Sequence, residues 1–208
     1  MNFRNFATLL LVAFLILVAP IVKSATETST NGTSTLAFDD NIATPAISNK
    51  QSPAVRRHIE TIRKKFAEKG LDTRTVRNDE VMVVTIPTDR LFQAGGSSEL
   101  RPEAVTILNY FKQAVNHPES YRLVIAVYAD DTGDSQYSRA LTRRRAMALK
   151  PAMDHIAETI PTPNIDYYWM GNTNFLYPNN SIANRSKNRR VDIYIVPEAH
   201  IISLSQPK

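Results

Sequence analysis

The chain has 208 residues, 43% of them hydrophobic and 22% charged, which is enough for one domain with a sizeable core plus additional sequence but not for two large domains. It contains no cysteine, so disulfides, thiolate metal sites, a cysteine nucleophile and a lipid anchor on an N-terminal cysteine are excluded. The net charge of +5 favours polyanions such as nucleic acid, anionic lipid or an acidic wall polymer, without choosing among them.

Residues 1–24 begin with a short positive region at Arg4 and continue as an apolar run over 6–22, interrupted by Thr8 and Pro20. Val22 and Ser24 are small enough for the two recognition positions of a signal peptidase, with cleavage before Ala25. The run also approaches the length of a membrane-spanning helix, about 18 residues. A cleaved signal peptide and an uncleaved membrane anchor therefore both stand, and either exports the rest of the chain. The run carries no Asp or Glu, so it lacks the ionisable group at membrane depth that a proton-conducting stator needs. Residues 25–52 are rich in Ser, Thr, Asn and Ala and poor in large apolar residues. Such a segment buries too little surface to offset its own ordering, and it reads as a flexible linker.

Residues 53–70 predict a helix, because Val55, Ile59, Ile62 and Phe66 recur at helical spacing and Gly70 can close the last turn. Its other face is basic, with Arg56, Arg57, Arg63, Lys64 and Lys65; a solvated face is the preferred reading over nucleic-acid or membrane contact. Residues 71–87 read as a hairpin, with a strand at 73–77, a turn at Asn78 and Asp79 and a second strand at 80–86. The unbroken apolar run in that second strand predicts burial on both faces. A loop over 91–100 contains Gly95 and Gly96. Pro102 then opens a helix to residue 116 with Val105, Leu108, Phe111 and Val115 on one face. A strand at 121–129, a tight turn at 130–133 and a long helix at 136–159 follow, the helix kinked or broken at Pro151. A strand at 165–170, a polar loop at 171–188, an alternating strand at 190–196 and a tail at 199–208 complete the chain. Strands that alternate with helices in the order βαβαβ-β predict an α/β two-layer sandwich, a mixed sheet with helices packed on one face.

The residues offer little catalytic chemistry. His58, His117, His155 and His200 are scattered without metal-ligand spacing, and no nucleophile elbow or phosphate-binding loop occurs. The run Asp130 to Asp134 faintly resembles a calcium loop, but no Glu follows at the twelfth position. No metal and no cofactor is expected. Arg143, Arg144 and Arg145 form the strongest basic run, yet successive helical residues point in different directions, and an exported chain has no nucleic acid to meet.

Four features occur in a fixed order. The first is Leu91-Phe92, a small-residue loop and Leu100. The second is Val127-Tyr128-Ala129-Asp130 followed by Gly133. The third is Tyr137-Ser138-Arg139-Ala140-Leu141-Thr142-Arg143-Arg144-Arg145-Ala146. The fourth is Gly171, Pro178 and Asn184 closing on Asn188-Arg189-Arg190-Val191. Together they resemble the OmpA-like C-terminal domain family, which includes OmpA, MotB and Pal. The resemblance implies an OmpA-like domain over 71–198 and peptidoglycan as ligand, gripped through the diaminopimelate of the stem peptide. In the family, the Asp of a Gly-His-Thr-Asp motif takes the ammonium and the Arg of an Arg-Ala pair takes the carboxylate; those roles fall on Asp130 and Arg145. Thr132, Ser138 and Arg189 match positions that line the family pocket.

The chemistry suits such a ligand. A carboxylate accepts charge-assisted bonds from an ammonium, and an arginine fork matches a carboxylate with two parallel bonds. The turn over 131–133 can add backbone N–H groups. Such a site binds and does not catalyse. A plainer alternative has Asp130 capping its turn and Arg145 pairing with it or with another acid. Arg189 and Arg190 stand equally well as stabilisers of the last strand. The chain departs from the pattern at Val127, Tyr128 and Ala129, which replace Gly, His and Thr, and at Ser138, which replaces Asn with a shorter donor. Asp131 adds a second carboxylate that can compete for the ammonium.

The implied function is non-catalytic tethering of the protein, or of an envelope complex that contains it, to the cell wall. The implied compartment is the periplasm, in association with the wall or outer membrane or behind an inner-membrane anchor. Membrane contact would run only through the N-terminal segment. The alternatives are an interaction subunit that keeps the fold without the ligand, and a periplasmic wall-modifying enzyme.

Overall fold

The computed structural model describes residue 32 and residues 37–157 and 164–205. In chain order the helices are α1 (Phe38–Asn41), α2 (Ser52–Ala67), α3 (Thr88–Leu91), α4 (Ala104–Asn109), α5 (Lys112–Val115), α6 (Ser135–Ile156), α7 (Ile182–Asn188) and α8 (Ala199–Leu204). The strands are β1 (Asp72–Val76), β2 (Val81–Pro87), β3 (Tyr121–Tyr128), β4 (Ile165–Gly171) and β5 (Arg190–Pro197). They form one mixed sheet in the order β1-β2-β5-β3-β4, in which only the β3–β4 pairing is parallel. This is the α/β architecture the sequence predicts.

The hairpin turn is longer than the two residues the sequence suggests, covering residues 77–80 between β1 and β2. Arg77, Asn78 and Asp79 all take left-handed backbone angles, with φ of 54°, 57° and 65°. Asn and Asp tolerate that region because their short side chains bond locally; Asp79 accepts a hydrogen bond from the Thr75 hydroxyl at 2.5 Å.

The last strand in sequence, β5, lies at the centre of the sheet and is buried along its whole length. Its period of two divides the core. Val191, Ile193 and Ile195 join the helix-covered face, while Tyr194 and Val196 join a second cluster on the reverse face. On the helix side, Ile59 of α2, Leu108 of α4 and Phe111 meet the sheet with no exposed surface, each contributing about 1.5–3 kcal/mol of apolar burial. The Phe66 and Phe111 rings pack with centroids 5.0 Å apart.

Several segments differ from the sequence reading, each for a packing reason. The helix expected at 102–116 is two short helices, α4 and α5. At the junction the Tyr110 and Phe111 N–H groups bond three residues back, to Ile107 and Leu108, and the tightened turn sets the Phe111 ring into the core. Helix α6 runs continuously through Pro151 to Ile156, held by Leu149, Met153 and Ile156 in the core; residues 158 and 159 lie outside the described residues. The polar loop over 171–188 ends in α7, whose first turn is capped by the Ser181 hydroxyl accepting the Asn184 N–H at 3.2 Å. The expected tail contains α8, with Ile201 and Ile202 buried.

The largest difference is the expected linker at 25–52. Over residues 37–43 it is folded against the reverse face of the sheet, and Ile47 then packs against the helix-covered core. Phe38 packs edge-on to Tyr168 and Tyr194, with centroids 5.3 and 5.4 Å away, and Ile42 is buried in the same cluster. Fully buried Asn41 donates to Asp166 at 2.7 Å and to the Tyr168 hydroxyl at 3.0 Å. Arg122 holds the segment by donating to the carbonyls of Asn41 and Ala43. Two large apolar side chains suffice here because the sheet supplies the rest of the cluster. The helices therefore do not all lie on one face, since α1 belongs to this strap. The proposed signal peptide or anchor at 1–24 lies outside the described residues. No helix among the described residues is long and apolar enough to cross a membrane.

Candidate functional site

Antiparallel pairing gathers the loops of interest at one end of the sheet. In register, Pro87 at the end of β2 faces Arg190 at the start of β5, and Val127 near the end of β3 faces Val191. The segment after β2, the turn after β3 and the residues leading into β5 therefore meet. Between them opens a cleft of about 390 Å³. Asp130, Thr132, Ser138, Arg145 and Arg189 all line it.

Asp130 sits just beyond β3 and is 6% exposed. Its Oδ1 accepts the Thr132 N–H at 3.1 Å, and its Oδ2 accepts from Nη1 of Arg189 at 2.5 Å. Burial works to raise its pKa, but the Thr132 N–H, the Arg189 guanidinium and the Thr132 hydroxyl together hold it below the usual carboxylate value. Ion pairing in the cleft is thus Asp130 with Arg189, not Asp130 with Arg145. The Thr132 N–H is committed to Asp130, so the turn does not offer that group to a ligand.

Arg145 comes from the third turn of α6. Ser138, Leu141 and Arg145 fall three and four residues apart, on the face that meets the cleft. Arg145 is 5% exposed; its Nε donates to the Ser97 carbonyl at 2.9 Å, and its guanidinium lies over the Phe92 ring, 5.1 Å from the centroid. Burial lowers its pKa from the usual arginine value, yet a guanidinium remains charged in any ordinary buffer. The carbonyl bond and the ring fix the plane of the fork before any ligand arrives.

Adjacent residues settle into opposite roles at the entry to β5. Arg189 serves the cleft. Arg190 is 2% exposed on the reverse face, where Nε bonds Asp192 at 3.0 Å, Nη2 donates to the Asn174 carbonyl at 3.0 Å and the guanidinium lies 3.7 Å from the Tyr128 ring centroid. Asp192 also accepts from Thr85 and Arg74. Strand alternation is the reason: neighbouring side chains leave on opposite sides. Tyr128 belongs to this reverse-face group, so the replacement of the family's His there does not fall on the cleft wall. Burial pushes the Tyr128 phenol far above its usual value. Asp131 does not line the cleft and pairs with Arg185 at 3.0 Å.

Asp89, Gly95, Gly96 and Tyr137 are among the cleft residues that had no binding role in the sequence reading. Gly96 has φ of +77°, and a Cβ there would stand 2.9 Å from the Tyr137 hydroxyl. A Cβ on Gly133 would stand 2.6 Å from the Tyr137 ring. Tyr137 thus lies across two glycines from different loops. The Gly-Gly pair was the available signal, since paired glycines in a loop mark a close approach. Asp89 gave no signal, because its position in α3 is local and its neighbours in the cleft come from distant segments.

A second, more apolar cavity of about 210 Å³ lies between α2 and the α4–α5 region, with His58 and Tyr121 on its wall. The His58 ring stacks on Tyr121, with Nε2 2.8 Å from the hydroxyl, and burial, then Lys65, lowers its pKa. No group of three or more His, Asp or Glu side chains able to hold a metal occurs among the described residues.

Residues 91–189 match the OmpA family. No curated protein matches the chain. Among solved structures, a MotB-like protein from Desulfovibrio vulgaris aligns at 22% identity and a TM-score of 0.59, over 71% of this chain and 99% of that one. The cell wall anchor of the T6SS from Pseudomonas aeruginosa aligns at 18% identity and 0.54, over 67% and 97%. The periplasmic domain of Helicobacter pylori MotB aligns at 21% identity and 0.52, over 64% and 86%. At these identities the likeness is one of fold.

Proposed function

Since residues 91–189 match the OmpA family, we propose that this chain binds peptidoglycan without catalysis and tethers itself, or an envelope assembly that includes it, to the cell wall. The observation that carries this reading is the cleft itself: Asp130 and two arginines, from three separate segments, converge on one opening. The free end of diaminopimelate bears one ammonium and one carboxylate. Arg145 takes the carboxylate with its pre-oriented fork. Asp130 takes the ammonium, and Arg189 turns from Asp130 toward the ligand carboxylate as it does so. Ser138 and Thr132 supply hydroxyls on the wall between them. A similar fold in a protein described as a cell wall anchor supports the same direction.

The reading places the domain in the periplasm, with residues 1–24 as the export signal or the inner-membrane anchor. Mass spectrometry of the protein from its native membrane fraction distinguishes them, because cleavage leaves Ala25 as the first residue.

Co-sedimentation with purified sacculi tests the binding. The wild type pellets with sacculi, and Asp130→Ala and Arg145→Ala remain in the supernatant. If both variants pellet like the wild type, the site assignment is wrong. One observation favours a second reading, an interaction subunit that has lost the ligand: both oxygens of Asp130 are already engaged within the protein. A wild type that stays in the supernatant supports that reading.

A further inference from the structure

The cleft holds four charged side chains, and they are not equivalent. Asp130 and Arg189 are joined as an ion pair, so their charges are mutually compensated. Arg145 is held by a neutral carbonyl and an aromatic ring, so its charge faces the cleft uncompensated. The fourth is Asp89, which lines the same cleft and is exposed. Among the described residues its carboxylate joins no ion pair: Arg101 donates only to the Asp89 backbone carbonyl, at 3.3 Å, and directs its Nε to Glu103. The backbone fixes its place beside the ion pair, because the N–H of the preceding Thr88 donates to the Arg189 carbonyl at 3.0 Å.

Charge balance gives the consequence. Two carboxylates face two guanidiniums, and the cleft is neutral. Without Asp89 it would carry one excess positive charge and repel an incoming ammonium. Asp130 can receive that ammonium only after Arg189 lets go, whereas Asp89 can receive it with nothing broken. An exposed carboxylate also loses little hydration on contact. We propose that Asp89 is a second ammonium-binding carboxylate of the cleft, sharing the diaminopimelate ammonium with Asp130 and so selecting stem peptides whose amine is free. This rests on the peptidoglycan reading above and names a specificity residue for it.

The test uses the full chain and two muropeptides, a disaccharide tripeptide with meso-diaminopimelate in third position and the same molecule acetylated on its free amine. Titration calorimetry gives the affinity of the wild type and of Asp89→Asn for each. The expected result is a loss of about tenfold for Asp89→Asn on the free-amine ligand, the scale of one charge-assisted hydrogen bond, and no loss on the acetylated ligand. The thermal midpoint should be unchanged, which separates ligand contact from a role in holding α3. Equal affinities of the two proteins for the free-amine ligand would overturn the proposal, as would equal losses on both ligands. A wild type that binds neither muropeptide would instead bring down the peptidoglycan reading itself, and this inference with it.

Discussion

Arg189 and Arg190 are neighbours in sequence, and each is ion-paired to an aspartate, but the two pairs do different work. The Arg190–Asp192 pair is closed on every side: the two side chains are 2% and 0% exposed, and Thr85, Arg74, Tyr128 and the Asn174 carbonyl occupy the remaining directions. The Arg189–Asp130 pair stands at the wall of a cleft, with the Arg189 side chain 39% exposed. A closed pair can be broken only at the cost of a bare charge in the interior. An open pair can exchange its partner for a ligand or for water. The contrast separates the two pairs by availability rather than by residue type.

The largest effect should come from opening the closed pair. Asp192→Ala leaves Arg190 buried without its anion and should cost about 3–5 kcal/mol of stability, read as a shift in the urea unfolding midpoint. A loss below about 1 kcal/mol would show that water solvates the Arg190 guanidinium in place of the aspartate, and would erase the distinction between the pairs.

The next effect concerns the ligand and not the fold. Arg145→Ala should remove about 1.5–3 kcal/mol of binding, the range for hydrogen bonds to a charged group, measured with the free-amine muropeptide. Arg190 faces away from the cleft, so conservative Arg190→Lys should leave that affinity unchanged while lowering the unfolding midpoint. A binding loss as large as that of Arg145→Ala would mean that the two faces are coupled.

A smaller effect is expected at the cleft floor. Gly96→Ala places a Cβ at φ of +77° and 2.9 Å from the Tyr137 hydroxyl. A stability loss of about 1–2 kcal/mol follows from the left-handed backbone alone, and the displaced Tyr137 should weaken binding. If binding is intact in a destabilised variant, Tyr137 is not part of the cleft wall in solution.

The smallest effect belongs to the open pair. Arg189→Ala should change stability at neutral pH by no more than about 1 kcal/mol, because the 39% exposed Arg189 side chain leaves the pair open to solvent screening. Its trace should be clearer in acid. The fold holds the Asp130 pKa below its unfolded value, so the stability this group contributes is full above about pH 3.9, the ordinary aspartate pKa. It is lost as pH falls through the lower folded value. Unfolding curves between pH 2 and 6 should therefore show a flatter acid limb in Asp130→Asn and, to a lesser degree, in Arg189→Ala. Identical limbs in all three proteins would contradict the ion pair.

Much of this was legible in the sequence. Alternation in β5 and helical spacing in α2 are local patterns that set which residues face the core, and they read correctly. The five candidate residues of the cleft were legible through ordered motifs, because each sits at a fixed offset from a strand or helix end. Other features were not. The strap at residues 37–43 has too few apolar residues to announce itself, and it folds because Tyr168 and Tyr194 wait for it on the sheet. The division of α4 from α5 depends on where the core accepts the Phe111 ring. Asp89 joins the cleft only because β2 and β5 are paired so that Thr88 bonds Arg189.

The sequence by itself determined the order of elements, the two-faced pattern of each strand and the identity of the charged groups near strand ends, because these follow from periodicity and spacing along the chain. The tertiary structure alone decided which charge meets which. It joined Asp130 to Arg189 and not to Arg145, turned Asp131 away to Arg185, and left Asp89 and Arg145 facing the cleft without ionic partners among the described residues. Charge pairing depends on distance in space, and antiparallel pairing in the sheet brings together residues that lie dozens of positions apart in the chain.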